Sequence, residues 1–190
     1  MDAVARARLA AELGCTAVIA TKPFGVTVTQ DEIRKHYRRL AAESEVDVVA
    51  YNEAWLSGNI ATPATMCDLA SIPRLVAIKE STGVASTSRW MLEHSSELPA
   101  LFQGAEALLR ISVGFDGYIV AAANLLPELC NRLYSAPRPD TFRKFAALCR
   151  VYGLLSDNWI ARIKAELHLR GILSTPDLAA SRSEMLRQGA

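Results

Sequence analysis

Apolar and polar positions in the first two thirds of the chain alternate between two patterns. Short apolar runs rich in Val, Ile and Ala are separated by longer amphipathic segments. The runs are, in order, CTAVIAT, VDVVAYN, RLVAIK, ALFQG and GYIVAAA. Short β-branched runs of this kind are typical of strands buried in a parallel sheet. The pattern therefore predicts five strands with helices between them.

Local signals predict where the helices begin and end. A first helix is predicted over residues 2–13, with Gly14 as its C-cap. The second begins at TQDE, a capping box, and extends to about residue 44. Thr62 followed by Pro63 predicts another start, with proline at the first helical position. Further helices are predicted at SRWMLEHSS, at EALLRISV and after residue 124, with breaks near residues 137–139, 153–157 and 171.

Strands that alternate with helices indicate right-handed βαβ units in one parallel sheet. Two arrangements of the sheet satisfy this pattern, an open doubly wound sheet or part of a (β/α)₈ TIM-type barrel. No GxGxxG or GxxxxGK[ST] follows a strand, so nucleotide-binding open sheets have no support. Polar residues at successive strand ends favour an incomplete α/β TIM barrel, with about five βα units and extra C-terminal helices. We expect residues 1–135 to form this partial barrel and residues 136–190 a helical extension packed on the same domain.

The net charge, the cysteines and the histidines limit the partners and metal sites that are expected. The 190 residues include 21 basic and 20 acidic ones, so nucleic acid and acidic membranes are not expected as partners. No apolar run approaches the ~20 residues of a membrane span. Four scattered cysteines without a CxxC pair predict reduced thiols in the cytoplasm. The three histidines lie far apart, and no metal site is predicted.

The segment VAIKESTG ends a predicted strand with Lys79. Burial disfavours the ammonium form of such an amine, and the free amine can attack a carbonyl group. Tyr51 ends the preceding strand and can move protons for that chemistry. The plainer alternative is a solvated rim lysine. Lys22 also ends a strand, but we interpret it as a loop-facing cation. Glu80 is interpreted as a salt-bridged or solvated residue rather than a catalytic one.

The motifs around these two residues resemble one enzyme family. YNEAWLSGNIATP is followed, 28 residues after its tyrosine, by the lysine of VAIKESTG. This pair is similar to the dihydrodipicolinate synthase / N-acetylneuraminate lyase family of class I Schiff-base aldolases. The segments FQGAEALL and GFDGYIVAAANLLPELC extend the resemblance towards the C-terminus. The resemblance implies a TIM barrel and a lyase.

Site residues follow from the resemblance position by position. It implies Lys79 as the Schiff-base lysine and Tyr51 as the proton-shuttling phenol. Ile119 matches the position whose backbone lies against the bound pyruvate moiety, and Gly104 matches the glycine that ends the following strand. Glu106 stands where many members have an aspartate, which sometimes contacts a sugar-like hydroxyl chain.

The resemblance also implies substrates and assembly. Members cleave or condense a pyruvate-type 2-oxo acid with an aldehyde, without a metal or organic cofactor. Relatives are commonly tetrameric and a partial barrel has apolar surface to hide, so a homo-oligomer is expected. The alternative is a catalytically inactive, truncated barrel fragment with a structural or assembly role.

This sequence departs from the family pattern in several ways. It begins at what resembles the third helix of the barrel, so three strands and a Gly-rich, carboxylate-binding loop are expected to be absent. Leu56 stands where dihydrodipicolinate synthases have an arginine, and this replacement disfavours dihydrodipicolinate synthesis. The segment LSG that begins at Leu56 is nearer the pattern of N-acetylneuraminate lyases. The second relay tyrosine falls at Gly25, beside Phe24, and Ala54 replaces a loop proline. An altered relay and a different second substrate are therefore expected.

Overall fold

The computed structural model describes residues 2–178, so the predicted extension beyond residue 178 lies outside the described part. The strands are β1 (Ala17–Thr21), β2 (Asp47–Asn52), β3 (Leu75–Glu80), β4 (Ala100–Gln103) and β5 (Gly117–Tyr118). The α-helices are α1 (Ala3–Glu12), α2 (Gln30–Glu43), α3 (Pro63–Ala70), α4 (Ala85–Glu93), α5 (Pro127–Ser135), α6 (Pro139–Val151) and α7 (Trp159–Leu169). Short 3₁₀ helices form at Ser95–Glu97, Glu106–Ser112 and Ala121–Asn124.

The strands form one parallel sheet in the order β1-β2-β3-β4-β5. In a doubly wound sheet the order reverses at a switch point, whereas in a βα barrel consecutive strands are neighbours. The observed order is that of a barrel. One rung across the sheet joins Thr21, Tyr51, Lys79, Phe102 and Gly117.

The core lies between the sheet and helices α1 to α4. Its fully buried side chains come from the helices and from alternate strand residues, and include Ile33, Leu40, Met66, Met91, Val48, Ala50, Ile78 and Leu101. Each of the Val, Leu, Ile and Met side chains among them contributes about 1.5–3 kcal/mol to folding through burial. Side chains alternate across a strand, so those of Tyr51 and Lys79 point away from this core.

The helix starts between the strands form as their sequences predict. At the start of α2, Thr29 Oγ1 accepts a hydrogen bond from the Glu32 backbone N–H (3.2 Å), and Glu32 Oε2 accepts one from the Thr29 N–H (2.7 Å). The Thr62 hydroxyl caps α3, which has Pro63 in its first turn. The capping box and the proline start are confirmed. These caps determine the residue at which the loop after β1 or β2 ends and the next helix begins.

Two predicted elements differ from the structure. The run GYIVAAA is a strand only at Gly117–Tyr118, and its alanines lie in the 3₁₀ helix at Ala121–Asn124. EALLRISV forms a 3₁₀ helix at Glu106–Ser112. Alanine favours helical turns over strands, and apolar composition alone does not separate the two. Gly117 pairs with Phe102, whose ring lies 2.7 Å from the place of a Cβ at position 117.

The chain divides into two compact units, with the boundary after Val120. In the second unit, α5 packs against α6 and against the preceding 3₁₀ helix. Its buried side chains include Leu133 and Phe145. Arg170 Nη1 donates to the Leu125 carbonyl oxygen (2.8 Å) and so ties the end of α7 to the start of the unit. The division predicted at residue 135 stays a prediction. Across residues 2–178, none of the helices combines the length and apolar character that crossing a membrane requires.

Candidate active site

Lys79 and Tyr51 lie side by side at the ends of neighbouring strands. They are register partners in β3 and β2, and the Lys79 Nζ atom is 4.2 Å from the centroid of the Tyr51 ring. Both side chains are half-buried. An ammonium at this distance over an aromatic face is held by the ring quadrupole. The structure thus brings together the two residues that the sequence singles out, while their catalytic roles stay predictions.

Gly104 lies directly against the lysine. A Cβ atom at position 104 would be 2.6 Å from Lys79 Cε and 2.0 Å from Ser81 Oγ, closer than real Cβ contacts allow. The Gly104 N–H donates to the Glu80 carbonyl oxygen (2.7 Å), which holds the glycine at the end of β4. The Ser81 hydroxyl is buried, and no residue among 2–178 is a hydrogen-bond partner for it. The missing side chain at position 104 is therefore what leaves room for the lysine.

Ile119 and Glu106 are placed at the same edge of the sheet by topology alone. The Ile119 N–H donates to the Gln103 carbonyl oxygen (2.9 Å), so this amide extends the β4–β5 ladder. Glu106 begins the 3₁₀ helix after β4 and is half-buried. Both residues follow the carboxyl ends of strands, where barrel chemistry is located. Their binding roles stay predictions.

Lys22 faces the loop that follows β2, as expected of a loop-facing cation, and it is enclosed in the protein. Its side chain is 1% exposed, and its Nζ donates to the carbonyl oxygens of Glu53 (2.6 Å) and Tyr51 (3.2 Å). The fully buried Glu53 carboxylate lies 3.7 Å away. Burial lowers the pKa of Lys22, and the nearby Glu53 and Glu80 carboxylates oppose this shift. The sequence signal for this pair is weak: each residue follows the end of a strand, and those two strands are paired.

Glu80 is also fully buried, so it is not a solvated rim residue. Its Oε2 accepts from Asn52 Nδ2 (2.7 Å), and its Oε1 accepts from the Thr82 N–H (2.7 Å) and the Thr82 hydroxyl. Asn52 Oδ1 accepts from the Ala61 N–H (2.9 Å). Burial raises the pKa of Glu80, while the hydrogen bonds from Thr82 and Asn52 lower it. These contacts join the ends of β2 and β3 behind the site.

Tyr37 of α2 supports the same strand end. Its hydroxyl donates to the Ala20 carbonyl oxygen (2.9 Å) and accepts from the Tyr51 N–H (3.2 Å). Burial raises the pKa of this phenol, which keeps it neutral. Tyr37 therefore links β1 and β2 just below the site, a role that no local sequence signal predicts.

The loops after β1 and β2 are tied together at the mouth of the site. The Gly25 N–H donates to the Ser57 carbonyl oxygen (2.8 Å), and Asn59 Nδ2 donates to the Pro23 carbonyl oxygen (2.8 Å). Apolar residues on these loops face outward, with Trp55 62% and Phe24 69% exposed. Within residues 2–178, no group of three or more His, Cys, Asp or Glu side chains could hold a metal ion.

Comparison with known proteins agrees with this architecture. A solved dihydrodipicolinate synthase from Acinetobacter baumannii superposes with a TM-score of 0.78 at 24% identity, over 98% of this chain and 67% of that one. An N-acetylneuraminate lyase from Fusobacterium nucleatum gives a TM-score of 0.76 at 18% identity, over 96% and 66% of the two chains. These likenesses confirm the predicted fold, a partial TIM barrel.

Sequence relatives identify the family. An uncharacterised DapA-like lyase of Halobacterium salinarum is 32% identical over 180 residues, which cover 91% of this chain. The match covers 59% of that relative, so the chain spans less than two thirds of its length. The sequence profile of the dihydrodipicolinate synthetase family matches residues 1–180. Because that match covers nearly the whole sequence, the chain belongs to the dihydrodipicolinate synthetase family.

Proposed function

We propose that this chain carries the site of a class I, imine-forming aldolase or lyase that acts on a pyruvate-type 2-oxo acid and an aldehyde. The observation that carries the proposal is the Lys79 amine, 4.2 Å from the centroid of the Tyr51 ring. An amine and a phenol at one register position are the two groups that imine formation requires. The relatives, named as synthases and lyases, support the same chemistry. We further propose that it acts in the cytoplasm, without a metal or organic cofactor.

The reaction begins when the neutral Lys79 amine attacks the keto carbon of the 2-oxo acid. Tyr51 donates a proton to the carbinolamine hydroxyl, which leaves as water, and a protonated imine forms. The imine draws electrons from the neighbouring bond, so the adjacent carbon loses either a proton, which the Tyr51 phenolate accepts, or an aldehyde, as the phenolate takes the proton of the hydroxyl group that becomes the aldehyde oxygen. The resulting enamine attacks an aldehyde in the synthetic direction. Gly104 leaves the space that the lysine stem occupies.

The loop after β2 favours a second substrate that lacks a carboxylate. Synthases bind the carboxylate of their aldehyde substrate with an arginine of this loop. Leu56 replaces the arginine expected there, and an aliphatic side chain cannot replace a bidentate charge-assisted pair. Trp55 and Phe24, both largely exposed on the joined loops, add apolar surface. We therefore propose a neutral or hydroxylated aldehyde as the second substrate.

A homo-oligomer is proposed for either function, and the second candidate function is a structural or assembly role for a catalytically inactive chain. Strand β1 pairs only with β2 among residues 2–178, and its Ile19 side chain is 50% exposed. An edge strand with an exposed apolar side chain is a site where other chains associate. In this case the chain would bind partners through β1 and form no imine.

Borohydride trapping separates the two candidates. The protein is incubated with millimolar pyruvate, reduced, digested and examined by mass spectrometry. The expected result is one pyruvate-derived adduct, on the peptide that contains Lys79, which is lost in Lys79→Ala and slowed in Tyr51→Phe. Lys144→Ala, on the exposed side of α6, is the matched control and keeps the adduct. An unmodified wild-type protein would overturn the aldolase proposal and favour the assembly role.

A further inference from the structure

We propose that Lys22 is a positioning residue for Tyr51. Its buried ammonium holds the backbone at the end of β2, so that the Tyr51 phenol stays beside Lys79. The inference rests on the proposed function for its catalytic meaning, because Tyr51 is the residue that it positions. Lys22 itself is enclosed and does not contact substrate.

The backbone of Tyr51 is held from both sides by side chains of other elements. Its N–H donates to the Tyr37 hydroxyl (3.2 Å), and its carbonyl oxygen accepts from Lys22 Nζ (3.2 Å). The Tyr37 hydroxyl in turn donates to the Ala20 carbonyl oxygen (2.9 Å). One side chain therefore holds the N–H of Tyr51 and another holds its carbonyl oxygen.

The Lys22 amine makes two hydrogen bonds and one ion pair. It donates to the carbonyl oxygens of Tyr51 and Glu53, and Glu53 Oε1 lies 3.7 Å from its Nζ. That oxygen has no hydrogen-bond partner within residues 2–178 and depends on the lysine charge. A buried carboxylate deprived of its cation is strongly unfavourable. With 1% of its side chain exposed, Lys22 is also not accessible to a substrate as a second nucleophile.

The same charge orders the loop that follows Tyr51. Glu53 Oε2 accepts from the Leu56 N–H (2.7 Å) and the Ser57 N–H (3.3 Å). The Ser57 hydroxyl donates to the Glu53 carbonyl oxygen (3.1 Å). Lys22 fixes both the carbonyl and the carboxylate of Glu53, and through them residues 54–57. Loss of the lysine therefore frees the tyrosine backbone and its loop together.

The test compares Lys22→Met with Lys35→Met, which removes an exposed charge from α2. The rate of borohydride trapping is measured against pyruvate concentration. The expected result is a tenfold or greater loss of the maximal rate for Lys22→Met, with less than a threefold change in half-saturation. In a Tyr51→Phe background the same substitution has no further effect. If Lys22→Met unfolds, the double variant Lys22→Met/Glu53→Gln takes its place. This variant removes both buried charges, so we expect it to fold and to show the same loss of rate.

A spectroscopic measurement keeps the inference testable without catalysis. The ring resonance of Tyr51 is identified in ¹³C-tyrosine-labelled protein by its loss in Tyr51→Phe. We expect it to shift or broaden in Lys22→Met and in Lys22→Met/Glu53→Gln, and to stay unchanged in Lys35→Met. If the wild type forms no adduct, the aldolase proposal fails while this measurement still decides the positioning. An unchanged resonance, or an equal slowing in the Tyr51→Phe background, would overturn the inference.

Discussion

Replacement of Gly104 by alanine tests whether the empty space at this position is what seats the lysine. Gly104 has no left-handed φ, so its backbone conformation is open to alanine and the effect is one of contact alone. The added methyl would lie 2.0 Å from Ser81 Oγ and 2.6 Å from Lys79 Cε. Both neighbours are side-chain atoms, so the serine rotates and the lysine stem moves. The lysine amine then leaves its place over the Tyr51 ring.

Two separate effects are expected from this change, one on stability and one on the trapping rate. Inserting a methyl group into filled space costs roughly 1–3 kcal/mol of unfolding free energy. A displacement of about 1 Å at a reacting group lowers the rate about 10²-fold. That loss corresponds to about 2.7 kcal/mol in the activation barrier, since each 1.36 kcal/mol is about tenfold. The predicted outcome is a protein that still folds but traps pyruvate at about one hundredth of the wild-type rate.

Urea unfolding and borohydride trapping, measured on the same preparations, separate the two effects. Gly14→Ala is the matched control, because position 14 has φ +85° and no atom within 4 Å of the added methyl. Left-handed backbone costs an alanine about 1–2 kcal/mol, so this control loses similar stability with no change at the site. Trapping at the wild-type rate by Gly104→Ala would refute the argument that position 104 seats the lysine.

Two further predictions concern stability. Burial raises the folded-state pKa of Glu80, so its contribution to stability is present at low pH and is lost as pH rises through that pKa. The unfolding free energy of Glu80→Gln, measured in urea, should therefore increase relative to that of the wild type between pH 4 and pH 7. A difference between the two proteins that does not change with pH would contradict this prediction. Thr29→Ala removes the capping box of α2 and should cost about 1 kcal/mol without slowing pyruvate trapping. Ser135→Ala, at an exposed position that ends α5, is its control, and an equal loss of stability there would count against the cap.

Much of the fold is predictable because its determinants are local. The capping box at Thr29 and the Thr62–Pro63 start act within one helical turn, so sequence alone reveals them. The proximity of Tyr51 and Lys79 follows from one further step: both end consecutive strands, and parallel pairing places strand ends at one edge. Non-local packing decides the rest. The Phe102 ring, for example, occupies the place of a side chain at Gly117, a contact between two strands that no local pattern predicts.

The buried pair of Lys22 and Glu53 shows why other parts of the site escape sequence reasoning. The two residues are 31 positions apart, and their burial depends on carbonyl oxygens that only the folded loop presents. Lysine and glutamate are rarely buried, so the general expectation for both is exposure. That expectation fails here because each charge finds its partners inside the same loop.

Lys22 and Lys79 lie in different environments because their positions in the register of the sheet differ by one residue. Thr21, Tyr51 and Lys79 share one rung of the sheet, and Lys22 comes one residue later. Side chains alternate across a strand, so Lys22 points to the helix side with Asn52 and Glu80, where carbonyl oxygens and Glu53 enclose it. Lys79 points to the opposite side, onto an aromatic ring and a glycine, and remains half-open. A shift of one residue in β1 would turn Lys22 out of its enclosure, so pairing register rather than residue type decides which amine can meet a substrate.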